Sequence, residues 1–113
     1  MLWNRHWLTK QHCKLNTKHV YDSTKDYPLG DCVYIMKCSD GTLYTGWTTD
    51  FKARVATHNS GRGAKYTRAR LPVTPVYVEF VEDRSTGLKR EHAIKKLTRK
   101  AKCQLIESDK NEL

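Results

Sequence analysis

A chain of 113 residues, 38% apolar and 29% charged, has room for one core and excludes a separate substrate-binding domain. With 21 Lys and Arg against 12 Asp and Glu, the formal charge of +9 favours a polyanionic partner, nucleic acid ahead of an acidic membrane surface, because clustered cations release counterions condensed on phosphates. The plainer reading is a charge that only keeps the chain in solution. Its four cysteines contain no C-x-x-C pair and no finger-like spacing with histidine, which argues against a zinc or thioredoxin-type site and predicts reduced, structural thiols.

Residues 1–29 have no sustained hydrophobic period and end in the turn signal "YPLG". Trp3 and Trp7 stand one helical turn apart, as in a short docking helix, but a frayed extension is the simpler expectation. The start lacks a signal-peptide pattern, and no apolar run is long enough to span a bilayer, so a cytoplasmic location and no membrane partner are expected. We therefore divide the chain into an extension (1–29), one domain (30–108) and a short tail (109–113).

The texture changes at Asp31. "CVYIMKC" is β-branched and aromatic, "SDGT" is a turn, and "LYTGW" is a second strand, which together predict a hairpin. "TTDFKARVATHNSG" offers Thr49 or Asp50 as N-cap, Phe51 and Val55 at i and i+4, and Gly61 as a stop, for a helix of roughly three turns. "RGAKYTRARLPVTP", with Gly63, Pro72, Pro75 and the cations Arg62, Lys65, Arg68 and Arg70, reads as a basic loop. "VYVEFVE" alternates as a third strand. A helix capped by Ser85 with Leu88, Ile94 and Leu97 on one face follows, and a last helix restarts at Thr98. Short connections in the order β-β-α-β-α-α predict an α+β fold: a three-stranded antiparallel sheet flanked by helices.

Side chains on a strand alternate, so the turn decides whether Tyr34 and Tyr44 share a face. A three-residue turn, Ser39 to Gly41, sets Met36 opposite Tyr44 and both tyrosines on one side; a two-residue Asp-Gly turn would split them. We expect the former. Gly46 would then leave a gap where a phosphate or water approaches the backbone. Arg54 and His58, four residues apart, project to one side of the helix. Glu91 lies between Leu88 and Ile94, near the side facing the sheet, where a carboxylate needs a partner: a metal ion, or equally a salt bridge such as one to Lys95.

"CVY", then "YTG", an arginine in the next helix and a lone glutamate two elements later resemble the GIY-YIG nuclease superfamily, over about Asp31 to Ile106. "HNSGRGAKYTRARLPV" is similar to the small stand-alone bacterial proteins of that kind. The resemblance implies a phosphodiester hydrolase with Tyr34 as general base, Tyr44 placing the attacking water, Arg54 lowering the pKa of Tyr34 and binding developing charge, and Glu91 holding one divalent ion, Mg²⁺ or Mn²⁺. His58 and Asn59 match polar positions near the cleft. Cys32 replaces the first glycine of the pattern and Thr45 its isoleucine. With Gly46 and Asn59, the loop cations Arg62, Lys65, Arg68 and Arg70 would bind the substrate. Nucleic acid is the implied partner, DNA ahead of RNA, read by shape rather than sequence, with no obligate protein partner. The contrasting reading is a non-catalytic nucleic-acid-binding module on the same fold.

Overall fold

A computed structural model describes residues 20–113. Strands β1 (Cys32–Lys37), β2 (Leu43–Thr48) and β3 (Thr74–Phe80) form one antiparallel sheet in the order β2-β1-β3. The helices are α1 (Phe51–Thr57), α2 (Lys65–Arg68), α3 (Arg84–Lys95) and α4 (Arg99–Ile106). The expected α+β architecture is therefore present, with one addition: the stretch read as a loop contains the single helical turn α2.

The hairpin closes through three residues. Cys38 N–H donates to the Thr42 carbonyl at 2.8 Å, Gly41 takes φ +86°, and Asp40 Oδ1 accepts from the Thr42 amide at 3.0 Å. Met36 consequently faces Tyr44, and Tyr34 faces Gly46, so both tyrosines lie on one side of the sheet. β3 begins at Thr74, two residues earlier than its apolar alternation suggested. Pro75 donates no ladder bond, and it is accommodated because β3 is an edge strand with a register shift opposite Ile35/Met36.

The sheet divides two apolar clusters. Tyr34, Met36, Phe51, Val55 and Val78 lie on the α1 side; Val33, Ile35, Tyr77, Ile94 and Ile106 lie against α3 and α4. Asp50 caps α1, accepting from Ala53 N–H at 3.1 Å, and Thr98 caps α4 through Ala101 N–H at 3.1 Å. Asp83, not Ser85, caps α3, because its carboxylate reaches the Thr86 amide at 2.8 Å. The inward face of α3 is also shifted: Gly87 and Ile94 are buried, whereas Leu88 and Leu97 are exposed. Trp47 occupies the space at Gly87, where a Cβ would overlap its indole.

Both expected boundaries move. Tyr27 is buried and packs edge-on against Phe51 at 5.2 Å between ring centroids, so the core begins inside the supposed extension. Residues 109–113 are not a tail: Leu113 is buried beside Tyr27, and the buried Asn111 amide donates to the Val76 and Ile106 carbonyls, each at 2.8 Å. Trp3, Trp7 and Cys13 lie outside the described residues. Cys32 and Cys38 are buried free thiols as expected, whereas Cys103 is disulfide-bonded. Among the described residues no helix is long and apolar enough to cross a membrane.

Candidate active site

α1 runs on through a wide π-type turn, His58–Arg62, and Gly61, at φ +83°, then reverses the chain toward α2. That widened turn swings His58 inward over Gly63, where any Cβ would overlap the imidazole. His58 is buried and reaches both neighbouring elements. Its Nε2 lies 3.0 Å from the Tyr34 hydroxyl, and its Nδ1 lies 2.9 Å from Thr67 Oγ1 in α2.

The hydrogens in this chain are determined by elimination. Thr67 has one hydroxyl hydrogen and gives it to the Ala64 carbonyl at 3.0 Å, because a carbonyl can only accept. Thr67 must then accept from His58 Nδ1–H, which leaves Nε2 bare to accept the proton of Tyr34. The result is a buried relay, Tyr34 to His58 to Thr67, in which every polar atom is satisfied.

Burial pushes the Tyr34 hydroxyl well above its ordinary value of 10.0, and neighbouring Tyr44 adds to this; Arg54 opposes it without prevailing. Arg54 acts on Tyr34 in the expected downward direction, but low dielectric around a 2% exposed ring outweighs one guanidinium. Burial likewise lowers His58 from 6.5, with Arg54 second. At neutral pH the pair is therefore a neutral phenol facing a neutral imidazole, a proton donor aimed at a free acceptor.

Arg54 is half-buried, exerts charge on both groups, and has no ion pair among the described residues. Tyr44 lies edge-on to His58 at 5.5 Å and stacks on Tyr66 at 6.1 Å. The Glu91 side chain is 20% exposed and also helps raise Tyr34, which puts its charge within reach of the relay; its ion partner is Lys95 at 3.4 Å, one turn along α3. Tyr34, Tyr44 and His58 thus converge, and the charges of Arg54 and Glu91 act on Tyr34.

Three of the other predicted site residues are committed internally. Gly46 leaves no gap for a ligand: the Tyr34 ring and hydroxyl fill it, and a Cβ there would overlap them. Asn59 is a clamp, its amide donating to the Val73 carbonyl at 3.0 Å and accepting from the Val73 amide at 2.8 Å. Arg70 pairs with Asp40 at 3.1 Å and lies 3.8 Å over the Tyr66 ring, tying the loop to the hairpin. Arg62, Lys65 and Arg68 are exposed. Thr67, Gly63 and Tyr66 went unassigned in the sequence. Thr67 acts on a residue nine positions earlier, and no local pattern announces that pairing.

A family description, the GIY-YIG catalytic domain, matches residues 31–104. The chain belongs to that family. Among similar proteins are a UPF0213 protein of Streptococcus agalactiae, 52% identical over 80 residues (71% of this chain and 91% of that one), and one of Clostridium perfringens, 57% identical over 76 residues (67% and 82%). A solution NMR structure of an E. faecalis protein is similar over 74% of this chain and 88% of that one, with 42% identity and a TM-score of 0.51. These names carry no activity.

The GIY-YIG family implies a divalent ion, and the residues fit one loosely held ion. Among the described residues no three His, Cys, Asp or Glu side chains gather as a closed cage. Glu91 supplies one partly exposed carboxylate whose charge is felt at Tyr34, which suits a cation that keeps most of its waters, as Mg²⁺ does.

Proposed function

We propose that this GIY-YIG chain is a metal-dependent endonuclease that hydrolyses phosphodiester bonds, DNA ahead of RNA, by structure rather than sequence. The observation that carries the reading is the bare Nε2 of His58 accepting from the tyrosine of the first family motif. Tyr34 does not need to be ionised beforehand. Its hydroxyl passes a proton to His58 as it takes one from the attacking water, so the phenolate never stands alone in the core. Tyr44, packed against His58 and Tyr66, positions that water. Arg54, with no ion pair among the described residues, binds the charge that develops on the phosphoryl oxygens. A divalent ion at Glu91 would stabilise the leaving oxygen. Arg62, Lys65 and Arg68 draw the polyanion to the cleft, and cytoplasmic nucleic acid is the expected substrate.

Incubating wild type and Tyr34→Phe with branched, flapped and linear DNA plus Mg²⁺ or Mn²⁺ tests this directly. Cleavage by wild type and its loss in Tyr34→Phe, with binding retained, is the expected result. Tight binding by both proteins without cleavage would instead favour the non-catalytic binding module.

A further inference from the structure

Beside the relay, on the α3–α4 side of β2, a groove of about 300 Å³ is lined by Leu43, Tyr44, Thr45, Tyr66, Lys95 and Lys102. Two of its properties are unexplained by the residues assigned above. First, Lys95 at the end of α3 and Lys102 in α4 bring two like charges to one concavity. Lys95 is shared with Glu91, but Lys102 has no ion pair among the described residues. Second, Thr45, 4% exposed, has a buried Oγ1 without a hydrogen-bond partner among the described residues. It stands where the family pattern has isoleucine, which would fill the same place with no unsatisfied oxygen. An orphaned hydroxyl beneath converging cations costs free energy until an acceptor arrives.

We propose that this groove is a second phosphate subsite, which takes a phosphate of the bound nucleic acid other than the one being cut. Lys95 and Lys102 supply charge-assisted donors, and a χ1 step at Thr45 would turn its buried hydroxyl toward the bound phosphate. Tyr44 borders both sites, so a phosphate held here fixes the strand relative to the water that Tyr44 positions. The inference rests on the nuclease reading and adds residues to it: β2 is a bridge between two phosphates, and α4, outside the catalytic constellation, contributes to recognition.

Binding is measured on the full chain with EDTA present, so that turnover plays no part. Inorganic phosphate should shift the amide resonances of residues 43–45 and Lys102 in wild type, and Lys102→Gln should abolish those shifts while Lys102→Arg preserves them. With duplex oligonucleotides, Lys102→Gln should flatten the plot of log K against log salt by about 0.9. Thr45→Val should weaken phosphate binding while raising the melting temperature of the free protein, an opposition that a merely structural threonine would not produce. Two sources of phosphate are separable. If an uncharged methylphosphonate beside the cleavage position erases the difference between wild type and Lys102→Gln, the ligand is a strand phosphodiester; if a 5′-phosphate alone controls it, the ligand is a chain end. An unchanged salt slope in Lys102→Gln, with phosphate shifts equal to those of wild type or absent from wild type as well, would overturn the subsite even if cleavage proceeds. Phosphate shifts at residues 43–45 without any cleavage would retain the subsite and remove the nuclease reading.

Discussion

The two faces of the sheet bury polar atoms in opposite ways. On the α1 face, Tyr34, His58 and Thr67 are all nearly inaccessible, yet each hands a hydrogen to the next and the series ends on the Ala64 carbonyl. On the α3 face, Val33, Ile35, Ile94 and Ile106 pack around Tyr77, whose hydroxyl donates to Glu79, but Thr45 Oγ1 and Trp47 Nε1 have no partner among the described residues. A closed series holds one proton arrangement and so can carry chemistry, whereas an unclosed group waits for something to arrive. The same sheet therefore separates a preorganised side from a receptive one.

The sharpest way to break this contrast is to cut the series. His58→Ala should lower single-turnover cleavage by about 10²–10⁴-fold while DNA binding persists, since it removes the acceptor and leaves Tyr34 in place. A rate within threefold of wild type would show that Tyr34 acts without it. On the other face, Ile94→Ala should destabilise the protein by about 2–5 kcal/mol in denaturant unfolding, with cleavage per folded molecule unchanged. If Ile94→Ala instead reduces cleavage as His58→Ala does, the two faces are not separable.

The α1 face also depends on Tyr27, stacked on Tyr21 at 5.6 Å and edge-on to Phe51. Deleting residues 1–28 should lower the melting temperature by at least about 4 °C relative to deleting residues 1–19, because aromatic pairs contribute about 0.5–1.5 kcal/mol each beyond their burial. Equal melting temperatures would place Tyr27 outside the cooperative core.

The smallest effect is in pH. Folded His58 titrates below 6.5, so as pH falls through that value the unfolded chain takes up the proton first. Stability should be full above about pH 6.5 and decline below it, and His58→Asn should reduce the slope of melting temperature against pH in that window. An unaltered slope would mean that other groups carry the acid sensitivity.

Much of this arrangement was legible in the chain. The three-residue turn expected over a two-residue Asp-Gly alternative is present and sets Tyr34 and Tyr44 on one face; Thr98 caps the last helix as its side chain suggested. What stayed hidden involves partners distant in sequence. Asn59 and Arg70 have the chemistry of substrate-binding residues, but Val73 and Asp40, 14 and 30 positions away, claim them. Gly46 looked like room for a ligand because a glycine does not say which side chain fills its space. Leu88 and Leu97 fitted an apolar helical face, yet Gly87, closely approached by Trp47, and Ile94 take the buried side of α3, and Leu97 falls beyond the end of that helix.

Asn111 and Glu112 have a consequence for how this protein meets copies of itself. Outward-facing backbone groups of β3 are already taken: Val76 O by the Asn111 amide, Val78 N by Asn111 Oδ1, Val78 O by Glu112 N–H, and Phe80 N by the Glu112 carboxylate. An incoming strand from another molecule finds no open ladder there, and β2 is the other edge of the sheet. Intermolecular sheet growth is thereby directed to β2, across the mouth of the groove beside Tyr44. Aggregation by strand addition and loss of nucleic-acid binding should then advance together, with nucleic acid in the cleft acting as the molecule's own protection against polymerisation.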